Sequence, residues 1–364
     1  MSPRFSEQGI YVRLGSTNRR AGPEILAEMQ RSIAGLSFDQ LPYPDLSSED
    51  LDPARVQRFF KQSGREDNAK HLESLGVLIA HAGRLVPSHG GLILFGRDAV
   101  RRRVFPDAAV SCARFRGTDK VDFLDRVALD DETVLEVIED VFKFIRRNTR
   151  LAARITGVRR EDIPEYPEIA LREVLVNAIA HADYSLTGMR IRVAIYADRL
   201  EVENPGMLPF GMTLDDFKAG VSRIRNRVIA RVMRELGLLE EWGTGYRRVL
   251  EDCRAGGYPP PEWQELGPAL RVVFRPHPLT LASTEDDTIN DTVNDTVNDT
   301  VNDRQRWFLA QLRQGNRVTW REIVQQYQVS ESTAKRDIAD LQAKQLVEFV
   351  GAPKTGRYRL REQP

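Results

Sequence analysis

Hydrophobic and polar positions alternate with two different periods between Tyr166 and Phe274. Apolar residues recur at helical spacing in PEIALREVLVNAIAHADYS, alternate with polar residues in IRVAIYADRLEVENPG, return to helical spacing in RNRVIARVMRELGLL and end in LRVVF. A period near 3.6 is typical of an amphipathic helix, and a period of two is typical of a half-buried strand. This order predicts an α+β unit with a layer of helices on a sheet.

The region before residue 160 mixes the same two patterns with less regularity. We expect helices near Pro53–Gln62, Ala69–Ala82 and Asp131–Arg147, and strands near Gly91–Phe95 and Ala108–Arg116. These elements predict an N-terminal α/β region over residues 21–160. No group of residues in this region indicates a particular chemistry.

A low-complexity segment follows the α+β unit, over residues 280–303. It repeats NDTVNDTVNDTVND and carries acidic residues without a single Lys or Arg. One valine in each four-residue repeat buries too little surface to offset an ordering cost of about 1 to 2 kcal/mol per residue. We therefore predict an acidic linker; a small repeat structure is the alternative.

Residues 304–364 form a basic C-terminal segment, with twelve Lys and Arg against six Asp and Glu, a net charge of +6. Helical patterns at Arg304–Arg313 and Thr319–Tyr327 precede Ser330, a good helix N-cap, and the helix SESTAKRDIADLQAKQ. A strand-turn-strand pattern over 346–360 follows. The segment resembles a winged helix-turn-helix, which implies double-stranded DNA as a partner; a winged helix that mediates protein contacts is the alternative.

In such a module the third helix enters the major groove with its N-terminal residues, and the wing contacts the phosphate backbone. The residues expected at DNA are accordingly Ser332, Thr333, Lys335 and Arg336 on the helix and Lys354 and Arg357 on the wing. Helix-turn-helix proteins often read paired half-sites. We therefore also expect a homodimer.

Composition excludes several other classes of protein. The 364 residues contain 53 basic and 53 acidic side chains and only two cysteines, Cys112 and Cys253. An overall basic field, a disulfide scaffold and a four-cysteine zinc site are thus excluded. No stretch approaches the roughly 20 apolar residues that a membrane span requires. These features predict a cytoplasmic protein with no membrane contact.

The first candidate site lies on the helix that opens near Pro167. Glu173 and Asn177 are four residues apart, which places their side chains about 6 Å from one another on one helix face, and His181 lies one turn further. A carboxylate can accept a proton from an attacking water, and an amide oxygen can ligate Mg²⁺. A solvated helix face is the alternative interpretation.

Two glycine-containing segments complete the candidate site. Asn204-Pro205-Gly206 follows a strand pair, so a polar side chain lies beside a backbone that a ligand can approach. Gly243-Thr244-Gly245 directly precedes a helical pattern, an arrangement in which free backbone N–H groups hold phosphate. The alternatives are a simple strand-ending turn and a flexible end of the preceding helix.

Together PEIALREVLVNAIAHADYS, LEVENPGMLP, SRIRNRVIARVM and EEWGTGYRRV resemble the Bergerat-fold (GHKL-type) ATPases, the superfamily of gyrase, MutL and histidine kinases. The match extends to bacterial ATP-binding proteins labelled RecG-related or Schlafen-type Alba-domain regulators. The resemblance implies that ATP and Mg²⁺ are cofactors, that Glu173 activates water and that Asn177 holds Mg²⁺. It also implies further ligand contacts by His181, Glu203 or Asn204, Gly206, Gly243, Thr244 and Gly245, and a lid over 210–242 that includes Arg225 and Asn226.

The chain departs from the family pattern in two places. Many relatives have Asp-x-Gly-x-Gly where this chain has Glu-Asn-Pro-Gly-Met, so the adenine-binding acid is ambiguous and one glycine is absent. The opening GIYVRLGSTNRRAG resembles the last strand of an Alba-like domain, and residues 1–20 are expected to be its remnant, the rest being trimmed or lost. No Gly-x-x-x-x-Gly-Lys-Ser/Thr phosphate loop occurs, which argues against a helicase motor.

The resulting expectation is a two-layer Bergerat-type sandwich over residues 161–279 that lies between the N-terminal α/β region and the acidic linker, with the winged helix-turn-helix last. The expected function is an ATP-binding, and in one version ATP-hydrolysing, DNA-binding transcriptional regulator. The alternatives are a degenerate nucleotide fold that acts as a scaffold while DNA binding carries the function, and a component of stress or phage defence.

Overall fold

A computed structural model describes residues 4–6, 9–14, 17–66, 68–156, 159–209, 211–239, 243–281, 303–313, 316–327, 329, 331–343, 346–350 and 357–361. The chain divides into two compact units, Met1–Ser283 and Thr284–Pro364. The predicted linker therefore lies almost wholly outside the described residues.

The strands of the first unit are β1 (Arg4–Ser6), β2 (Gly9–Leu14), β3 (Thr17–Arg20), β4 (Leu78–His81), β5 (Arg84–Pro87), β6 (Val110–Phe115), β7 (Phe123–Leu129), β8 (Leu151–Thr156), β9 (Arg159–Pro164), β10 (Ile191–Ile195), β11 (Leu200–Pro205), β12 (Glu262–Leu266) and β13 (Ala269–Phe274). Its α-helices include α1 (Pro23–Ile33), α2 (Pro53–Ser63), α3 (Ala69–Leu75), α4 (His89–Phe95), α5 (Asp98–Val104), α6 (Val137–Asn148), α7 (Glu168–His181), α8 (Leu214–Lys218), α9 (Arg227–Glu235) and α10 (Gly245–Gly256).

A six-stranded mixed sheet organises this unit, in the order β12-β13-β11-β10-β6-β7. Strands β10 and β6 run parallel, and the other neighbours are antiparallel. The sheet thus draws strands from both sides of residue 160, where the sequence suggested separate regions. Strands β1, β2 and β3 form a small three-stranded antiparallel sheet.

Helices α6 and α7 pack on one face of the six-stranded sheet. Their apolar residues share one buried cluster with Val202 and Val272 of the sheet; Phe144 of α6 and Ile179 of α7 are fully buried there. Removal of apolar surface from water, worth about 25 cal/mol per Å², holds the two layers together. The predicted α+β fold is confirmed.

The predicted strand at Gly91–Phe95 is wrong, because these residues belong to helix α4. The hydroxyl of Ser88 accepts a hydrogen bond from the N–H of Gly91 at 2.9 Å and so caps the helix. All residues from Gly90 to Phe95 are buried. A short apolar run that is buried on every side shows neither period, so helix and strand look alike in sequence.

Two predicted helices are shorter than expected. The helix predicted over Ala69–Ala82 ends at Leu75, because Gly76 takes a left-handed conformation (φ 80°) and β4 follows. Ala82 and Gly83, both with positive φ, then turn the chain into β5. The helix predicted from Asp131 begins only at Val137.

The second unit contains helices α11 (Asp303–Arg313), α12 (Trp320–Tyr327) and α13 (Glu331–Ala343), then strands β14 (Val347–Val350) and β15 (Arg357–Leu360). The helices bury Phe308, Ile323 and Ile338 in a common core. At the start of α12, Thr319 donates to Glu322 from both its backbone N–H and its hydroxyl. The predicted N-cap of α13, Ser330, lies outside the described residues.

Candidate functional site

One cavity brings together residues from all three sequence segments of the first candidate site. It contains about 910 Å³ of empty space, part of it open to solvent, between helix α7, the sheet and the start of α10. Asn177, His181, Asn204, Gly243 and Gly245 line it. The helix, the strand-ending turn and the Gly-Thr-Gly bend therefore face the same space.

Asn177 lines this cavity, and Glu173, which does not line it, contacts Asn177. Successive turns of α7 place the amide Nδ2 of Asn177 3.0 Å from Oε1 of Glu173, to which it donates a hydrogen bond. A Cβ atom on Gly245 would lie 2.6 Å from that carboxylate oxygen and 3.1 Å from the amide nitrogen. A larger residue at position 245 would therefore have to displace the end of the Glu173 side chain.

The Gly-Thr-Gly bend enters helix α10 directly, since Thr244 occupies the N-cap position and Gly245 begins the helix. The first N–H groups of a helix lack partners within the helix and favour an anion. Gly243 has a φ of 63°, a left-handed conformation that favours glycine. The side chain of Thr244 itself is exposed.

Because successive side chains of a strand point to opposite faces of the sheet, Glu203 and Asn204 lie on different faces. Asn204 faces the cavity and is 7% exposed, whereas Glu203 points to the opposite face of the sheet. There Glu203 forms ion pairs with Arg271 at 2.9 Å and Arg192 at 3.6 Å. Of the two residues considered for adenine, Asn204 alone lines the cavity.

Gly206 has a structural reason to be glycine. Its φ is 99°, and a Cβ atom would lie 2.8 Å from Cβ of Asp183. The segment after α7 therefore packs directly on the turn after β11, where the N–H of Asp183 also donates to the carbonyl of Pro205 at 2.8 Å. Gly206 therefore contacts the segment that follows α7.

His181 lines the cavity as a neutral side chain at neutral pH. Burial, and secondly the charge of Arg225, lower the pKa of His181 to about 4. His181 can therefore offer a hydrogen bond but carries no positive charge toward a ligand.

Arg225 and Asn226 are tied into the fold beside the cavity and do not line it. The Arg225 guanidinium contacts Glu28 and Asp183 and donates to the carbonyl oxygen of Met207. The buried amide of Asn226 donates to the carbonyl oxygens of Ala180 at 3.1 Å and Ala182 at 2.7 Å, at the end of α7.

Asp39 supports the fold beside the cavity in a way that the sequence did not indicate. This fully buried carboxylate accepts hydrogen bonds from the N–H groups of Arg227, Val228 and Ile229 at 2.7 to 3.1 Å. It thus caps helix α9 from a distant part of the chain, a contact that no local pattern reveals. Residues of the N-terminal α/β region therefore help to position the segment that precedes α9.

Three aromatic residues were also missed and line the cavity. Tyr246 lies 4.8 Å from Trp263 and 5.4 Å from Phe217 between ring centroids. Phe217 belongs to α8, within the predicted lid. The lid segment therefore packs against the first turn of α10 and strand β12.

Helix α13 exposes two basic side chains in the second unit. Its inner face buries Ala334, Ile338 and Leu341, whereas Lys335 and Arg336 are exposed and Thr333 is half-buried. Arg357 of β15 is exposed as well. The side chain of Ser332 and all of Lys354 lie outside the described residues.

Lys335 is held at the start of this helix by two contacts. Its ammonium lies 2.5 Å from Oε1 of Glu331 and 4.9 Å from the ring centroid of Trp320. Arg304, another basic residue of the unit, pairs with the buried carboxylate of Asp337 at 2.7 Å. Arg304 therefore stabilises the fold of the unit.

Two stretches of the chain match known families. Residues 188–274 match the family described as "Putative ATP-dependent DNA helicase recG C-terminal", and residues 304–349 match the "DeoR-like helix-turn-helix domain". The first stretch includes Asn204 and the Gly-Thr-Gly bend, while Glu173 and Asn177 precede it. The chain thus combines a stretch similar to the C-terminal part of a putative ATP-dependent DNA helicase with a stretch similar to a DeoR-like helix-turn-helix.

The fold also resembles the crystal structure of the DIP2311 protein from Corynebacterium diphtheriae. That likeness has a TM-score of 0.55 and 22% identity, and it covers 97% of this chain and 70% of the other. No curated protein matches the chain. Within the described residues, every helix is too short or too polar to cross a membrane.

Proposed function

We propose that this protein is a cytoplasmic transcriptional regulator that binds Mg-ATP in the cavity beside α7 and double-stranded DNA through α13. The observation that carries the proposal is the single cavity lined by Asn177, Asn204 and the Gly-Thr-Gly bend. A chain with both a nucleotide cavity and a helix-turn-helix can make DNA binding depend on the nucleotide. A Bergerat-type ATP site is the form of this proposal that the residues favour.

The side-chain oxygens of Asn177 and of the neighbouring Glu173 suit a magnesium ion. Mg²⁺ in nucleotide sites is held by one or two protein oxygens, several waters and the phosphates. The amide oxygen of Asn177 would supply a ligand, and Glu173, hydrogen-bonded to that amide, would orient it and accept a proton from water. The metal would offset the charge of the phosphates.

At position 204 an amide side chain suits adenine better than a carboxylate would. An amide side chain both donates and accepts, so it can pair with the N6 amino group and the N7 acceptor of adenine together. Met207 and Met212 also line the cavity and offer apolar surface to a base. The triphosphate would then extend toward the start of α10.

Calorimetric titration of the full chain with Mg-ATP tests the proposal. We expect wild type to bind, and Asn177→Ala to bind at least about tenfold more weakly, because a charged-group contact contributes roughly 1.5 to 3 kcal/mol. Lys143→Ala, an exposed change on α6, serves as the control. Absence of heat at millimolar Mg-ATP for wild type would contradict the proposal.

Turnover separates an ATPase from a nucleotide-sensing regulator. If the enzyme hydrolyses ATP, Glu173→Gln should abolish phosphate release while retaining ATP binding, because only the general base is removed. Binding without turnover in wild type would assign the cavity to sensing alone.

The regulatory part of the proposal has its own test. We expect Mg-ATP to change the affinity of the full chain for double-stranded DNA, and we expect a homodimer in sedimentation experiments. Identical DNA affinities with and without saturating Mg-ATP would contradict coupling between the two activities.

A further inference from the structure

Few charged side chains line the cavity. Among the described residues that line it, Arg223 is the single Lys or Arg, and there is no Asp or Glu. His181 adds no charge at neutral pH, since burial lowers its pKa to about 4. A ligand with several negative charges would therefore meet one protein cation here.

Close packing places Arg223 beside the Gly-Thr-Gly bend. A Cβ atom on Gly243 would lie 2.5 Å from the carbonyl oxygen of Gly220 and 3.3 Å from Cβ of Ser222. Gly220 also has a left-handed φ, of 91°. The lid backbone therefore reaches the bend at residues 220–222, and Arg223 is the next residue along the chain.

A second contact, made by Phe217, fixes the same part of the lid segment. Phe217 packs against Tyr246 and Trp263, with ring centroids 5.4 and 5.9 Å away. The turn that carries Arg223 is thus fixed on both sides, by aromatic rings before it and by the start of α9 after it. Fixing the turn reduces the cost of ordering a long side chain around a ligand.

Arg225, two residues further along the chain, does not line the cavity. Its guanidinium is only 8% exposed and contacts Glu28 and Asp183. The resemblance placed Arg225 in the lid, but Arg225 is tied into the fold beside the cavity, whereas Arg223 lines the cavity.

We infer that Arg223 binds the phosphate groups of the nucleotide and makes the cavity selective for polyphosphates over the bare nucleoside. This inference rests on the proposed function and names its anion-binding side chain. A guanidinium suits the purpose because its fork of donors can bind two phosphate oxygens at once.

Calorimetric titration of full-length wild type, Arg223→Ala and Arg223→Lys with Mg-ATP and with adenosine tests the inference. We expect Arg223→Ala to weaken Mg-ATP binding about 10- to 100-fold and to leave adenosine binding unchanged, because a charge-assisted contact to phosphate alone is lost. Arg223→Lys should retain part of the ATP affinity. Arg231→Ala, which removes an exposed arginine of α9 outside the cavity, should match wild type.

The outcomes separate the two proposals. Wild-type affinity for Mg-ATP in Arg223→Ala, or an equal loss for adenosine and Mg-ATP, would overturn the assignment of Arg223 while ATP binding by the cavity stands. Failure of wild type to bind Mg-ATP would overturn the proposed function itself. A circular dichroism melt of each variant shows whether a loss of binding comes from unfolding.

Discussion

The candidate nucleotide cavity and the candidate DNA surface are built in opposite ways. The cavity collects Asn177, Asn204 and Gly245 from separate elements, whereas Thr333, Lys335 and Arg336 lie within one turn of helix α13. A site assembled from distant segments depends on the contacts that hold those segments together. A site on one helix depends mainly on that helix being formed.

The largest expected effect comes from removing the long-range cap of α9. Asp39→Ala should lower the free energy of unfolding of the first unit by about 3 kcal/mol, because three backbone N–H groups lose their buried acceptor. Urea unfolding followed by circular dichroism measures this loss. We expect DNA binding by the second unit to remain.

The matched control is Asp52, which caps α2 from the adjacent position and accepts from Ala54 at 2.8 Å. Asp52→Ala should cost about 1 kcal/mol, as an ordinary local N-cap does. Equal losses in the two variants would remove the distinction between long-range and local support.

Lowering the pH should reduce the stability of the first unit, because His181 is buried as a neutral side chain. Its pKa is about 4 in the folded chain and about 6.5 when unfolded, so the unfolded state binds a proton first as the pH falls. The stabilisation by neutral His181 is complete above about pH 6.5 and is lost between pH 6.5 and 4, by roughly 2 to 3 kcal/mol.

Unfolding titrations at several pH values test this sign. His181→Gln should reduce the loss of stability between pH 6.5 and 4, and the rest of the loss should remain because burial also lowers the pKa of His89 to about 4. His81→Gln, at an exposed position, should leave the slope of wild type. An unchanged slope in His181→Gln would contradict the buried neutral histidine.

On the DNA surface, single changes should act locally and modestly. Lys335→Ala and Arg336→Ala should each weaken DNA binding about three- to tenfold and reduce the salt dependence by about one counterion, while Mg-ATP binding persists. Fluorescence anisotropy at several salt concentrations measures both quantities. Unchanged affinity in both variants would exclude α13 as the DNA-reading helix.

The smallest expected effect is an increase in DNA affinity. Glu331→Gln removes the carboxylate that pairs with Lys335 at 2.5 Å and would repel a nearby phosphate. Because exposed ion pairs contribute little to stability, we expect an unchanged melting temperature and roughly twofold tighter DNA binding. Weaker binding in this variant would mean that the pair positions Lys335 for DNA.

Local patterns predicted much of what the structure contains. The i, i+4 spacing of Glu173 and Asn177, the bend before α10 and the helices of the second unit follow from short-range chemistry, and the structure places them as expected. The α+β fold likewise follows from the two hydrophobic periods between Tyr166 and Phe274.

Long-range packing decided what the sequence could not predict. Nothing local distinguishes Arg223 from Arg225, although Arg223 lines the cavity and Arg225 does not. The parallel pairing of β6 with β10 and the cap by Asp39 likewise join segments far apart in sequence. The buried run at Gly91–Phe95 shows the same limit, since its helix depends on burial by the rest of the unit.

A crystal structure of the full chain with Mg²⁺ and a non-hydrolysable ATP analogue tests the proposed nucleotide site most directly. We expect adenine at Asn204, phosphates between the Gly-Thr-Gly bend and Arg223, and the metal at Asn177. An analogue bound at another surface, with this cavity unchanged at saturating ligand, would contradict the proposal.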